Sequence, residues 1–237
     1  MAEFTELWAG GPLFAQAEHF RLGTDSVLLS DFVNIGSRKR GIDLGCASGA
    51  IALLLLAKSE KLHMTGLEIV AEAAGLAAEN MAKNGLESRA QIICGDIREH
   101  RSLFRSGSFE LVAVNPPYFA LGSGALSPKG GRDAARGESE CSLEDICAAA
   151  AFLLCTGGSF NLVYRTERLS ELFFAMSAAG IEPKRLRLVC HKADSAPGLA
   201  LVEGRRGAKP GLKTEPVLIL ANADGSETEE YKRIYHR

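Results

Sequence analysis

The sequence predicts an α/β fold built on a mainly parallel sheet of about seven strands that ends in an antiparallel hairpin, with helices on both faces. Three observations carry that expectation. Between residues 41 and 179, short apolar runs alternate five times with longer helical patterns, the rhythm of βα units in a parallel sheet covered on both sides. Residues 185–190 and 200–204 then both read as strands, and the loop between them, 192–198, has no room for a crossover helix. Such a pair has to run antiparallel. Finally, 237 residues with 46% hydrophobic content suit one α/β domain over 1–237.

Residues 1–36 stand outside the alternation and are expected to form an extension that covers substrate or cofactor. Within them, 14–22 suits a short strand or hairpin. Thr24 or Asp25 suits the N-cap of a helix over 26–34 with Val27, Leu28 and Phe32 apolar. The core, 37–220, begins after the basic loop Arg38-Lys39-Arg40. A strand at 41–44 leads through a glycine-rich loop to a helix at 50–59. A strand at 62–69 leads to a helix at 71–83, closed by Asn84-Gly85 in the left-handed C-cap position. The strand at 90–94 ends in Gly95-Asp96, and a shorter helix at 98–104 precedes a strand at 109–114. The loop 120–140 is rich in Gly and Ser, and loops of that length are usually functional or disordered. A helix at 142–154, a strand at 159–164 and a helix at 168–179 complete the series before the hairpin. One more apolar run, 217–220, precedes a polar tail, 221–237.

Composition narrows the class. The net charge of −2 decides nothing about nucleic acid, because a binding patch can be local. The longest apolar run, 51–57, is too short to span a bilayer, and the first residues lack the basic-then-apolar layout of a signal peptide. Six cysteines at 46, 94, 141, 147, 155 and 190 form no C-x-x-C pair, and the five histidines are dispersed. That pattern suits neither a disulfide framework nor a zinc site. A reduced, cytoplasmic, metal-free chain without a membrane partner is expected.

The chemistry concentrates at strand ends, where doubly wound sheets bind ligands. Asp43-Leu44-Gly45-Cys46-Ala47-Ser48-Gly49 is a strand running into a glycine loop and a helix. It lacks the G-x-G-x-x-G fingerprint of dinucleotide folds, and an acid at the strand end repels phosphate and suits a cation. Glu68 ends the next strand, 19 positions after Gly49, a spacing at which nucleotide folds place a ribose acceptor. Asp96 follows the third strand and suits either an adenine amine or a helix N-cap. Three acids at successive strand ends, with no phosphate clamp, point to a nucleoside carrying a positive centre. S-adenosylmethionine, with its sulfonium and ammonium, fits.

Asn115-Pro116-Pro117-Tyr118 ends the fourth strand. Pro116 and Pro117 can neither continue a helix nor donate to a sheet ladder, and Pro116 pushes Asn115 toward extended backbone. The result is a stiff corner carrying acceptors and a ring. A delocalised exocyclic amine is a poor nucleophile. Acceptors from Asn115 and the Pro116 carbonyl would hold its hydrogens and raise electron density on nitrogen, by positioning and electrostatics alone. Tyr118 would stack on an unpaired base.

Together Asp43-Leu44-Gly45, Glu68, Gly95-Asp96 and the Asn-Pro-Pro-Tyr corner resemble the class I, Rossmann-like S-adenosylmethionine-dependent methyltransferases that act on amino groups. Residues 20–29, Phe-Arg-Leu-Gly-Thr-Asp-Ser-Val-Leu-Leu, together with 192–195 and 201–207, resemble the bacterial tRNA1(Val) adenine N6-methyltransferase family over roughly 14–220. The resemblance implies methylation of the adenine beside the anticodon of a valine tRNA. It implies a cofactor site of Thr24, Asp25, Asp43, Gly45, Cys46, Gly49, Glu68, Ile69, Asp96, Ile97 and Asn115. Asn115, Pro116, Pro117 and Tyr118 would be catalytic; Tyr118, Phe119, Arg132, Arg136, Lys192, Arg205 and Arg206 would contact tRNA. Two departures stand out: Ala47 replaces a usual glycine, which is harmless unless the position needs positive φ, and Gly137 stands where the family often has histidine.

Between residues 183 and 213, Lys184, Arg185, Arg187, Lys192, Arg205, Arg206, Lys209 and Lys213 face only Asp194 and Glu203. That excess suits phosphate contacts, or a solvated edge hairpin protected from aggregation. Alternative readings are N-methylation of a protein glutamine or of rRNA, and a non-catalytic nucleotide- or RNA-binding module. The glutamine enzymes generally carry a helical N-terminal domain, for which 36 residues are too few.

Overall fold

A computed structural model describes residues 2–16, 22–116 and 141–237, so the expected loop 120–140 lies outside the described residues. The chain opens with a small antiparallel hairpin, β1 (Thr5–Glu6) on β2 (Leu13–Phe14), earlier than the strand expected over 14–22. Helix α1 (Thr24–Phe32) has Gly23 as its N-cap. Neither Thr24 nor Asp25 takes that place. Thr24 is already helical, and no side chain caps the helix.

The alternation then follows as β3 (Arg40–Leu44), α2 (Ala50–Lys58), β4 (His63–Glu68), α3 (Ala71–Lys83) and β5 (Ala90–Cys94). Residues Ile51, Ala52, Leu53, Leu54, Leu55 and Leu56 of α2 are all buried; a helix apolar all round needs neighbours on every side. At the end of α3 Gly85 has φ 64°, and the Gly85 and Leu86 amides donate back to the carbonyls of Ala82 and Met81. This satisfies the last-turn carbonyls in the way expected of Asn84-Gly85.

After a 3-10 turn, Ile97–Glu99, come the one-turn helix α4 (His100–Leu103), β6 (Phe109–Val114) and α5 (Leu143–Leu153), the last held by a Ser142–Asp145 capping box. Then follow β7 (Leu154–Arg165), α6 (Leu169–Ala178), β8 (Ile181–Cys190), β9 (Leu199–Arg206), β10 (Lys213–Thr214), β11 (Leu218–Ile219) and α7 (Glu229–Ile234).

The main sheet runs β10-β8-β9-β7-β6-β3-β4-β5, with β11 also on β8. β9 is antiparallel to β7 and β8, and the other pairs are parallel. Seven of the nine strands are those expected; β10 and β11 add two more along the outer edge of β8. Two-residue edge segments carry no periodicity, which is why the sequence hides them. β8 also starts earlier than 185. Pro183, which cannot donate to the ladder, sits where the register shifts between Pro183 and Arg185.

Two apolar layers flank the sheet. One joins α1 and α2 to Met81 of α3; the other joins α5 and α6. The tail is more than a polar extension: Ile234 of α7 is buried and the Trp8 and His236 rings stack at 4.0 Å. The parallel register brings the ends of β3, β4, β5 and β6 to one rim. Because β9 is reversed, Leu199 pairs with Arg165 at that rim, while Arg205 pairs with Ser159 at the far end.

Candidate active site

Asp43 lies one residue before the end of β3 and is 1% exposed. Neither carboxylate oxygen has a hydrogen-bond partner among the described residues. Burial pushes its pKa up to about 7. The Ala52 amide, in the first turn of α2 but outside hydrogen-bond geometry, opposes the shift, and the charge of Glu68 adds to it. A buried acid held this way is a candidate for neutralisation by a bound cation.

The chain leaves β3 through three left-handed residues, Gly45 (φ 70°), Ala47 (φ 47°) and Gly49 (φ 83°). The Gly45 and Cys46 amides donate to the Leu67 carbonyl at 2.8 and 3.1 Å, tying the loop to β4. A Cβ on Gly45 would meet nothing within 4 Å, so the loop is open on that side. A Cβ on Gly49 would press on Met81 and Ala77 at 3.0 and 3.2 Å, so glycine lets α2 close against α3. Burial, with Asp43 and Glu68 nearby, pushes the Cys46 thiol up and keeps it neutral; it is no nucleophile.

Ala47 therefore occupies the conformation that makes the usual glycine useful. A left-handed L-residue costs about 1–2 kcal/mol, partly offset by the smaller unfolded-state entropy of alanine, about 0.4–1 kcal/mol. Ala47→Gly should raise stability by roughly 0.5–1 kcal/mol, or about 1–4 °C in Tm, as thermal unfolding of the two proteins would show.

Glu68 is buried at the end of β4 and receives the Ala47 amide on Oε2 (2.9 Å) and the Val70 amide on Oε1 (2.8 Å). One carboxylate thus fixes the loops after two strands, and it still has lone pairs to offer. Ile69 beside it is 61% exposed. Asp96 caps the turn before α4 and receives the Arg98 amide at 2.8 Å and the Arg98 guanidinium. The Arg98 side chain, then its amide, holds Asp96 below the usual carboxylate range. The N-cap role is thus the one the fold displays for Asp96, with Ile97 packed next to it on the core.

At the end of β6, Asn115 Nδ2 donates to Ser26 Oγ of α1 at 3.1 Å, and Pro116 is buried. Asn115, Gly45 and Ala47 share one cavity of about 220 Å³ with Phe14, Leu22 and Ser26. Pro117, Tyr118, Phe119, Arg132, Arg136 and Gly137 lie outside the described residues.

Lys192, in the turn between β8 and β9, is at the same rim as Asn115, with its Nζ on the Ala223 carbonyl at 3.3 Å. Arg205 and Arg206 are at the opposite end of β9, about 20 Å along the strand. There Arg205 pairs with buried Glu203 at 2.7 Å, and Arg206 donates to the Leu154 carbonyl. The geometry does not bring these two to the cavity.

Some site residues were not singled out from sequence. Ser26 and Phe14 belong to the extension, and only their neighbours in space identify them. Asn80 of α3 and Asn84, the C-cap of that helix, pin β2: the Ala15 amide donates to Asn80 Oδ1 at 2.7 Å and the Leu13 amide to Asn84 Oδ1 at 2.8 Å. Asn80 Nδ2 also reaches the Ser48 carbonyl at 2.8 Å. Two asparagines at helical spacing above buried Ala77 were the available signal.

The rim of parallel strands, the left-handed loop and the strand-end carboxylates are those of a class I methyltransferase. The methyltransferase small domain family matches residues 13–127. The chain is 30% identical over 182 residues to the tRNA1(Val) (adenine(37)-N6)-methyltransferase of Bacteroides fragilis, covering 77% of this chain and 76% of that one. It is 29% identical over 212 residues to the protein of that name from Tolumonas auensis, covering 89% and 86%. A predicted O-methyltransferase from Agrobacterium tumefaciens superposes with a TM-score of 0.73 over 90% of this chain and 96% of that one; at 19% identity this shows the fold. The chain belongs to the tRNA1(Val) (adenine(37)-N6)-methyltransferase family. Among the described residues no His, Cys, Asp or Glu cluster suits a metal, and no helix is long and apolar enough to cross a membrane.

Proposed function

We propose that this methyltransferase uses S-adenosylmethionine to methylate the exocyclic N6 amine of an adenine in tRNA, the one beside the anticodon of tRNA(Val), in the cytoplasm. The observation that carries the reading is that Asn115 and the Gly45–Ala47 loop form walls of one cavity. The residues present suit the cofactor. Asp43 has two unpartnered oxygens, Gly45 leaves open space, and Ile69 offers exposed apolar surface at the same rim.

Bound there, S-adenosylmethionine supplies an electrophilic methyl group on a sulfonium. Glu68, already held by two amides, has lone pairs left for ribose hydroxyls. Ile69 and Ile97 give apolar contact for a base. Asn115 Oδ1 and the Pro116 carbonyl accept the amine hydrogens, which raises electron density on nitrogen without a strong base. Tyr118 and Phe119 are assigned to stacking on the base.

Incubating the protein with labelled S-adenosylmethionine and unmodified bulk tRNA, followed by nucleoside mass spectrometry, tests this. N6-methyladenosine is expected, and its absence overturns the substrate. Phosphate contact is assigned to Lys192 ahead of Arg205 and Arg206. Lys192→Ala should weaken tRNA binding and lower the salt slope by about 1, while Arg206→Ala leaves both unchanged in filter-binding titrations.

A further inference from the structure

We infer that Ser26 is a positioning residue for the transfer: its hydroxyl anchors the Asn115 carboxamide at the end of β6, with Nδ2 engaged. The inference rests on the reading of Asn115 as the residue that holds the substrate amine. A carboxamide offers an acceptor at one end and donors at the other. Only the acceptor end can draw hydrogens from an amine; the flipped rotamer would present N–H to N–H. The two rotamers have nearly the same shape, so packing alone discriminates poorly between them. A hydroxyl can donate or accept, so it pairs with either end; what a fixed hydroxyl partner sets is where the carboxamide sits.

Ser26 Oγ is that partner, receiving Nδ2 at 3.1 Å from 89 residues away in sequence. With Nδ2 committed to Ser26, Oδ1 is the atom the carboxamide has left to offer. Both residues line the cavity that holds the glycine loop, so the contact belongs to the site and not to remote packing.

The hydroxyl can anchor Asn115 only if α1 is itself held, and it is held at three points. Ile234 of the C-terminal segment packs in the same apolar cluster as Val27 and Leu28 of this helix. Lys58 Nζ donates to the Ser30 carbonyl at 2.6 Å. At the far end Arg185 Nη2 donates to the Phe32 carbonyl at 3.2 Å and its guanidinium lies 4.1 Å from the Phe32 ring centre. These anchors come from the tail, α2 and β8, so the amide is placed before substrate arrives. Pre-arranged geometry is the term that matters for a step run by positioning.

The test uses the full chain as wild type, Ser26→Ala and Ser26→Thr. In 15N-labelled protein, Ser26→Ala should shift the Asn115 side-chain amide signals, identified by their loss in Asn115→Ala, and Ser26→Thr should restore them. With tRNA and S-adenosylmethionine, Ser26→Ala should lower kcat roughly tenfold to a hundredfold, with cofactor Kd and Tm unchanged, and Ser26→Thr should recover most of it. Unmoved amide signals in Ser26→Ala overturn the inference. So does an unchanged kcat, or a loss in both variants that follows a fall in Tm. If wild type makes no N6-methyladenosine, the substrate reading fails on its own, and the amide signals still decide whether Ser26 anchors Asn115.

Discussion

Asn115→Ala should retain S-adenosylmethionine binding and lose at least about 10²–10³-fold in methyl transfer, the scale of removing one fixed hydrogen-bonding group aimed at a reacting centre. The side chain adds nothing to the glycine loop, which is tied to β4 through the Leu67 carbonyl and to Glu68 through the Ala47 amide. Truncating it therefore leaves the glycine loop held in place and removes the acceptor for the amine. Calorimetry with the cofactor and single-turnover transfer to tRNA separate the two effects. A variant with near-normal turnover would remove Asn115 from the chemistry, and one that no longer binds the cofactor would make it a structural residue of the pocket.

The parts of this site legible in sequence are those whose meaning is local. A strand that ends in Asp43-Leu44-Gly45, or in Asn115-Pro116, announces a corner because glycine opens left-handed backbone and proline restricts it at that point. Asn84-Gly85 closes α3 for the same reason. What stayed hidden depends on partners far along the chain. The basic excess over 183–213 is largely internal: Arg185 pairs with Glu203 and Glu215, and Arg187 with Glu230. Glu215 and Glu230 lie outside the stretch 183–213. Reversal of β9 then sends Arg205 away from the rim, a consequence of topology that charge counting cannot see. In the sequence Ser26 is one residue of the family-like stretch 20–29. Its contact with Asn115 exists because α1 packs over β7 and β9 and reaches the end of β6. The dihedral at Ala47 was likewise invisible, since alanine normally signals an unstrained position.

Asp43→Asn should separate stability from cofactor binding, and pH is the variable that exposes it. In the folded protein Asp43 is pushed from 3.8 up to about 7 by burial. Its folded form therefore binds a proton that the unfolded chain has already released between about pH 4 and 7. Stability is full below the unfolded value, falls as pH rises through that window, and levels off above 7. A shift of this size corresponds to a cost on the order of 4 kcal/mol at pH 8. Asparagine carries no charge to desolvate, so the variant should lose this decline. Its net gain at pH 8 should be smaller, about 1–2 kcal/mol, because its buried amide also lacks a partner. Binding should move the other way. A cationic cofactor favours the carboxylate form, so affinity in the parent should rise as pH passes through 7 and a proton is released on binding. In Asp43→Asn the affinity should be weaker and flat with pH. Urea unfolding at pH 5, 6, 7 and 8, with calorimetry of S-adenosylmethionine binding across pH 6–8, measures both. A parent-like stability slope in the variant, or a pH-independent affinity in the parent, would show that Asp43 meets the cofactor's charge in no protonation-dependent way.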